Sequence, residues 1–275
     1  AQKAGQTAPH VLTMTATPIP RTVALTMYGD LDLSILDEMP VGRIPIKTWV
    51  VPPQKREAAY EWIKKRVKDT DEQAFIVCPI IDESEKETMK SVRAATVEFE
   101  KLSKKVFPDL RLGLLHGKIK SKEKEKIMQK MKEGKIDILV ATPVVEVGID
   151  MPNATIMFIE TAEKFGLAQL HQLRGRVGRG DKQSYCLLFT DIRSSKITTR
   201  LKAMERNLSG AQLAELDLRL RGPGEVYGTL QHGFPELKVG SFSDTSLIKS
   251  ARSAAEELVL KLDNEPQLKK LIEEK

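Results

Sequence analysis

Short apolar runs alternate with segments of helical periodicity as far as Asp191. The apolar runs predict strands at 11–16, 48–51, 74–81, 111–116, 136–141, 154–160 and 184–189. The segments between them predict helices at 55–68, 92–106, 123–132 and around 168–176. Strands that are apolar on both sides and alternate with helices form parallel sheets that are covered on both faces. The sequence therefore predicts an α/β fold, a parallel sheet with helices on both faces.

After Asp191 the strand signal stops and only helical patterns remain. They predict helices at 194–207, 211–218 and 244–262, with a loop rich in glycine and proline at 222–240. Ser209 and Gln212, three positions apart, form a capping-box signal at the start of the second of these helices. The sheet is therefore expected to be followed by a helical C-terminal extension.

Charge and cysteine content narrow the classes of function. The 275 residues carry a net charge of +6, which favours a polyanionic partner. Cys78 and Cys186 lie in apolar runs without the spacing of metal ligands, which predicts buried free thiols and no metal site. Neither a signal peptide nor a membrane-spanning apolar run occurs, so we expect a cytoplasmic protein without membrane contact.

The string QLHQLRGRVGRG at 169–180 carries the clearest chemistry. It places Arg174, Arg176 and Arg179 among glycines, with Gln172 just upstream. Arginine forks fit phosphate oxygens, and glycines allow close approach to a ligand or to another backbone segment. The string therefore predicts a site for a triphosphate whose charge shifts during cleavage. The alternative is a surface loop of solvated arginines.

Several strings together resemble superfamily-two helicases. The string at 169–180 resembles motif VI, TATPIPRT at 15–22 resembles motif III, and 138–160 resembles motif V. The segment 164–180 is similar to the longer motif VI of RecG-type helicases, and 218–236 resembles the loop of their translocation motif. These strings follow one another in order over nearly the whole chain, which is identified as resembling the C-terminal half of a RecG-type DNA helicase.

The resemblance implies three parts. Residues 1–46 would hold the end of a first motor domain and a linker. Residues 47–191 would form the second RecA-like motor domain, of the P-loop NTPase type, with motifs IV to VI. Residues 192–275 would form the translocation hairpin, its loop and the C-terminal helices.

The resemblance also implies roles at the nucleotide. Arg176 and Arg179 would be arginine fingers that neutralise charge on the γ-phosphoryl group, and Gln172 would sense the γ-phosphate. Gly148 and Asp150, in motif V, would bind the nucleotide through a ribose hydroxyl or an ordered water. The alternative for Asp150 is an ordinary turn or helix-capping residue.

Contacts to DNA are implied for several positions. In motif III, Thr15, Thr17 and Arg21 would relay between the ATP site and the DNA, although Thr17 could also cap a helix. Thr142 would couple nucleotide state to the DNA backbone. His116 precedes a lysine-rich helix that either faces the DNA or is simply solvated.

The translocation motif is the feature that points to RecG-type helicases in particular. Arg200, Arg221 and Gln231 match positions of that motif. We expect Arg200 to join the loop in a hydrogen-bonded network that converts motor closure into a pull on duplex DNA. The alternative is interdomain packing with ordinary surface arginines.

Two motifs are missing from the sequence. It contains neither G-x-x-x-x-G-K-[ST] nor D-E-x-H, which the family carries in its first motor domain. The chain is therefore expected to be a fragment with half of an ATP site, inactive alone, with ATP and Mg²⁺ bound mainly by the first domain. The activity implied is that of a monomeric ATP-dependent DNA helicase acting on branched double-stranded DNA. A transcription-repair coupling factor and a non-catalytic DNA-binding module are the alternatives.

Overall fold

A computed structural model describes residues 42–79, 85–143, 151–192, 194–206, 209–221, 245–259 and Lys261, together with Leu12, Met14, Ser34 and Glu38. The strands are β1 (Lys47–Val51), β2 (Gln73–Val77), β3 (Leu112–Leu115), β4 (Ile138–Ala141), β5 (Ala154–Ile159) and β6 (Tyr185–Phe189). The helices are α1 (Arg56–Thr70), α2 (Glu85–Lys101), α3 (Ser121–Lys132), α4 (Leu167–Arg174), α5 (Ser195–Lys202), α6 (Gly210–Arg221) and α7 (Thr245–Val259). The strand predicted at 11–16 and the loop at 222–240 lie outside the described residues, apart from Leu12 and Met14.

The six strands form one parallel sheet in the order β1-β6-β5-β2-β4-β3. Every residue of β2, β4 and β5 is buried, as the unbroken apolar runs predicted. These strands lie in the middle of the sheet, where both faces are covered. The predicted α/β fold is therefore confirmed.

The helices divide between the two faces of the sheet. Helices α1 and α2 pack in one apolar cluster that includes Tyr60, Ile63 and Phe158. Helices α3 to α6 contribute to a second cluster on the other face, which includes Leu139 and Met157. The connections from β1 to β3 advance along the sheet in one direction, and those from β3 to β6 return in the other. Opposite directions place the connecting helices on opposite faces when every crossover has the same hand.

The helical extension begins as predicted, with small differences at the ends of helices. The Ser209 amide donates to the Gln212 side chain at 2.9 Å, and the Gln212 amide donates to the Ser209 hydroxyl at 3.3 Å. This reciprocal pair confirms the predicted capping box at α6. The helix predicted at 92–106 ends in a π-helical turn at 102–106. The helix predicted at 194–207 changes to a 3₁₀ turn at 203–206.

The edge strand β1 is covered by this 3₁₀ turn. The backbone amide of Val50 donates to the carboxylate of Glu205 at 2.8 Å. An unpaired amide on an edge strand is a template for pairing with another chain, so a carboxylate on it protects the edge. The turn at 203–206 thus joins the extension to the sheet.

Truncation of Ile63 to alanine should destabilise the fold strongly. The Ile63 side chain is fully buried between α1 and the sheet, so Ile63→Ala removes apolar contacts and leaves a cavity. We expect a loss of about 2–5 kcal/mol in the free energy of unfolding, measured by urea denaturation. Val97→Ala, at a side chain 60% exposed on α2, should change that energy by less than about 0.5 kcal/mol. Equal losses in both variants would contradict the assignment of the core.

Candidate functional site

The carboxyl ends of the strands meet at one edge of the sheet. Because all six strands are parallel, the residues that follow them lie along this edge, which is where open α/β sheets bind ligands. The residues that directly follow β2 to β6 are Cys78, His116, Thr142, Glu160 and Thr190. This edge is one of two candidate surfaces for function, and the other is the segment that follows α4.

That segment, residues 175–184, is called the arginine loop below. Helix α4 buries Leu167, Leu170, Leu173 and Arg174 against the sheet. Its last turn is closed by bonds from the amides of Gly175, Arg176 and Val177 to carbonyls three or four residues before them. The loop therefore starts from a rigidly packed helix.

Two positions of the arginine loop favour glycine, one because of its backbone conformation and the other because of close packing. Gly178 has φ = +76°, a conformation that residues with a side chain rarely adopt. A Cβ atom at Gly180 would lie 3.1 Å from the carbonyl oxygen of Pro152, which precedes β5. The loop therefore lies directly against the motif V segment, just before β5.

The three arginines of the string have different surroundings. Arg174 is buried, and its guanidinium donates to the carbonyl of Met204 at 2.9 Å and to Nδ1 of His171 at 2.9 Å. Arg176 is half-buried and Arg179 is exposed, while Gln172 is half-buried on α4. Arg174 therefore anchors α4 to the turn at 203–206, and it is not available to a triphosphate as its place in the string suggested.

His171 is held neutral by this arrangement. Arginine cannot accept a hydrogen bond, so Nδ1 of His171 must be the acceptor and the ring proton lies on Nε2. Burial lowers the pKa of His171 to about 4, and the positive charges of Arg174 and Arg43 act in the same direction. A cation at this position would be repelled by both arginines.

His116 and Thr142 are brought together at the carboxyl edge. Leu115 and Ala141 are partners in the register of β3 and β4, and the Thr142 amide donates to the Leu115 carbonyl at 3.1 Å. The Thr142 hydroxyl and Nδ1 of His116 are both buried, and neither has a hydrogen-bond partner among the described residues. Buried polar groups are nearly always paired, so two neighbouring exceptions mark a site that a ligand could complete.

The charge around this pair is positive. The Lys124 ammonium donates to the carbonyl of Gly117 at 3.1 Å, which brings the lysine-rich helix α3 against the segment that follows β3. Burial lowers the pKa of His116, and Lys124 and Lys118 lower it further. A neutral imidazole, a threonine hydroxyl and nearby ammonium groups together suit a phosphate group.

Arg200 lies in a network that joins three helices. From α5 it donates to the carbonyls of Glu163 and Phe165, at 2.9 and 2.8 Å, and it pairs with Asp217 of α6 at 3.3 Å. The other oxygen of Asp217 accepts from the Leu167 amide at the start of α4, at 3.2 Å. The described partners of Arg200 thus belong to the approach to α4, to its start and to α6.

Several predicted site residues have no structural description. Thr15, Thr17, Arg21, Gly148, Asp150 and Gln231 lie outside the described residues, and Arg221 is described only as the last residue of α6. The predicted link from Arg200 to the loop at 222–240 also ends at residues outside the described part of the chain. The roles of these residues stay predictions.

A charged cluster that was not predicted lies on the carboxyl edge. Glu160, directly after β5, accepts two bonds from Arg56 at 2.7 and 2.9 Å and one from Tyr60 at 3.0 Å. Asp191 pairs with the same guanidinium at 3.4 Å, and a cleft of about 370 Å³ opens beside the cluster. Burial raises the pKa of Glu160 although Arg56 opposes this. A carboxylate at the end of an apolar strand was the available signal for this cluster.

The described residues contain neither a metal-binding group nor a membrane-spanning helix. Within the residues that the structure describes, no three side chains of His, Cys, Asp or Glu are grouped so that they could hold a metal ion. None of the described helices has both the length and the apolar character that crossing a bilayer requires.

Comparisons with known proteins identify close relatives. The model of the helicase conserved C-terminal domain matches residues 54–181, and that of the C-terminal part of domain 3 of the ATP-dependent DNA helicase RecG matches 207–273. RecG of Synechocystis sp. is 50% identical over 95% of this chain and 32% of its own, and RecG of Thermotoga maritima is 46% identical over 95% and 33%. The chain thus spans about one third of the length of these curated relatives.

A solved structure agrees with the sequence comparisons. The structure of RecG bound to a three-way DNA junction superposes with a TM-score of 0.66 at 45% identity. The match covers 85% of this chain and 30% of that one. Both the fold and the sequence of this chain match that structure, which supports the predicted RecA-like character of the sheet.

The neutral His171 predicts an acid-sensitive contribution to stability. Its pKa is lowered from 6.5 to about 4 in the fold, so the unfolded chain binds a proton more readily between these values. Stability from this residue is therefore complete above pH 6.5 and is lost as the pH falls towards 4. Unfolding free energies at a series of pH values should show wild type losing more than His171→Gln, which retains an acceptor but does not titrate. Parallel curves for the two proteins would contradict the assignment.

Proposed function

Since this chain belongs to the RecG family of ATP-dependent DNA helicases, we propose that it supplies the second motor domain and the translocation hairpin of an ATP-driven motor on branched DNA. The motor domain would comprise residues 47–191, the hairpin and C-terminal helices 192–275, and residues 1–46 the end of a first motor domain with its linker. The reactions would be replication fork regression and branch migration of Holliday junctions, in recombination and repair.

The geometry of the arginine loop is the observation that carries this proposal. Arg174 is committed to the Met204 carbonyl, whereas Arg179 is exposed on a loop whose backbone is held by Gly178 and Gly180. During hydrolysis of ATP, negative charge redistributes over the oxygens around the transferred phosphoryl group. Arg176 and Arg179 would stabilise that charge, and Gln172 would report the presence of the γ-phosphate. Fixed cations aimed at developing charge need no reorganisation during the reaction.

The described residues fit one side of a nucleotide site. They provide arginines on a loop that is packed on both sides, and the sequence contains no G-x-x-x-x-G-K-[ST] string, whose backbone would cradle a β-phosphate. We therefore assign the binding of ATP and Mg²⁺ mainly to the first motor domain. The use of Mg²⁺, the monomeric state and the cytoplasmic location stay predictions from the family resemblance.

Contact with DNA would be made at the carboxyl edge of β3 and β4. The Thr142 hydroxyl, which has no partner among the described residues, can donate to a phosphate oxygen, and the neutral His116 ring can donate once its tautomer places the proton towards the DNA. Lys118 and Lys124 add positive charge that raises affinity without reading sequence. Binding of this kind suits a motor that must pass over any sequence.

Movement would be passed to the hairpin through α4. The Arg200 network joins the start of α4 to α5 and α6, and Arg174 joins its end to the turn between these helices. A displacement of the arginine loop on closure would therefore be transmitted to α5 and α6 and to the turn between them. Arg221 and Gln231 would extend the pull to duplex DNA.

Two other functions agree less well with these observations. A transcription-repair coupling factor would share the motor, but the relatives described above are RecG proteins, and the segment at 207–273 matches a RecG-specific model. A non-catalytic DNA-binding module would retain the DNA edge without a working arginine loop. Measurement of ATP hydrolysis separates this last possibility from the proposal.

Replacement of Arg179 by alanine should abolish turnover. In the full-length gene product that contains this sequence, we expect forked DNA to stimulate ATP hydrolysis, and Arg179→Ala to lower the stimulated kcat by about 10³-fold or more. Arg111→Ala is the matched control, because Arg111 is an exposed arginine that pairs with Asp137 and precedes β3, the edge strand farthest from β1. Its kcat should stay within about twofold of wild type, since β3 is separated from β6 by three strands of the sheet. An Arg179→Ala variant with normal turnover would favour the binding module.

Replacement of Thr142 by valine should weaken DNA binding without lowering stability. Thr142→Val keeps the shape of the side chain and removes a buried hydroxyl that has no partner among the described residues, and a buried group left unsatisfied costs about 1–3 kcal/mol. Thermal unfolding should therefore show equal or higher stability. Loss of one hydrogen bond to a phosphate should weaken binding to forked DNA about tenfold by fluorescence anisotropy.

The control is Thr70→Val, at the other end of the sheet, where the hydroxyl bonds to the Arg66 carbonyl at 2.7 Å. It should lower stability slightly and leave DNA binding unchanged. A Thr142→Val protein that is less stable and binds DNA normally would show that the hydroxyl serves the fold.

A further inference from the structure

We propose that residues 43–46, the entry segment that leads into β1, position the arginine loop and pass displacements of the preceding chain to it. This inference rests on the proposed function, because it concerns the residues that would act on ATP. The contacts that support it are separate, since neither the DNA edge nor the Arg200 network uses them. The entry segment would thus be a positioning element for Arg176 and Arg179.

The arginine loop and the entry segment are held together by hydrogen bonds at the far end of the loop. The side-chain amide of Gln183 donates to the Pro45 carbonyl at 2.8 Å. The Lys47 amide donates to the carbonyl of Ser184 at 3.0 Å, where the entry segment becomes strand β1. These bonds align the end of the loop with the last residues of the entry segment.

The middle of the loop is in steric contact with the same segment. A Cβ atom at Gly178 would lie 2.9 Å from Cγ1 of Ile46 and 3.1 Å from its Cδ1. Separations below 3.0 Å require something to move, so the space at Gly178 is occupied by the isoleucine side chain. Gly178 directly precedes Arg179 and lies two positions after Arg176. Ile46 thus contacts the loop at one of the two residues between the two arginines.

Arg43 extends the contact to α4. Its charge is close enough to His171 to lower the pKa of that ring, so the start of the entry segment lies beside the helix from which the arginine loop departs. The Nε atom of Arg43 is buried and has no hydrogen-bond partner among the described residues. The entry segment therefore runs past α4, the middle of the loop and the end of the loop.

The contact on the opposite side of the loop, at Gly180, determines how the loop would respond to a shift of the entry segment. Gly180 lies against the Pro152 carbonyl, so the loop is held between the entry segment and the start of β5. A shift of Ile46 therefore displaces Gly178 and the arginines on either side of it. Misplacement of a catalytic group by about 1 Å can cost about 10²-fold in rate. The position of the entry segment would set whether the arginines are aligned for hydrolysis.

A steric double-mutant cycle tests the contact in the full-length gene product. Gly178→Ala should push the loop away from Ile46 and lower the DNA-stimulated kcat about 10- to 100-fold, with little change in the KM for ATP. Ile46→Ala removes both atoms that the new methyl group would meet. We expect Gly178→Ala with Ile46→Ala to recover kcat to within about threefold of Ile46→Ala alone.

Two controls separate positioning from general damage. Ile46→Val removes Cδ1 and keeps the branch at Cγ1, so it should not rescue Gly178→Ala. Gly134→Ala introduces the same backbone strain at φ = +69° with nothing within 4 Å of the new methyl group, and its kcat should stay within about twofold of wild type. Melting temperatures of all variants show whether each change in kcat exceeds the change in folded fraction.

The outcomes distinguish this inference from the proposed function. If Arg179→Ala abolishes turnover while the effects of Gly178→Ala and Ile46→Ala simply multiply, the function stands and the positioning role is overturned. If wild type does not hydrolyse ATP, or Arg179→Ala has no effect, the proposed function fails and this inference fails with it. Rescue by Ile46→Ala, absent with Ile46→Val, supports the inference.

Discussion

Parallel pairing of all six strands is the constraint on which the other features depend. It requires each connection to return across the sheet, which buries β2, β4 and β5 on both faces and explains why these strands are apolar throughout. It also delivers the ends of all strands to one edge. His116 and Thr142, which are 26 positions apart in the sequence, become neighbours because β3 and β4 pair in register. The same rule sets Glu160 beside Cys78, at the ends of the paired strands β5 and β2.

Some groups at the carboxyl edge of the sheet break packing rules that the core obeys. The core gains about 25 cal/mol for each Å² of apolar surface that it removes from water, so it can tolerate a few unfavourable groups at its rim. Two such groups are the Thr142 hydroxyl, which has no hydrogen-bond partner among the described residues, and the left-handed backbone at Thr161, with φ = +50°. Both directly follow the ends of strands or lie within two residues of them. Burial of the strands behind these groups offsets the free-energy cost of each.

Local patterns in the sequence predicted the sheet well because each strand signal is complete within a few residues. Strands β1 to β6 lie within predicted apolar runs or extend beyond them by one residue. The string at 169–180 predicted phosphate contacts for Arg174 together with Arg176 and Arg179, whereas Arg174 is buried. Its spacing of four from Leu170, itself three after Leu167, was the signal that places it on the buried face of α4. The pairing of Arg56 with Glu160 joins residues 104 positions apart, and no local pattern contains it.

The arginine loop differs from the edge sites in what determines its position. Residues at strand ends are placed by the sheet itself, whereas the loop follows a helix and must be held by its neighbours. The loop is held by the entry segment before β1, through Ile46, and by Pro152 before β5, while Arg174 at the end of α4 bonds to Met204 in the turn after α5. The turn also contacts β1 through Glu205 and Val50, so the entry segment and the turn meet at the same edge strand. Coupling between the entry segment and the turn would therefore need no long pathway, because the first contacts the loop and the second contacts Arg174, the residue directly before it.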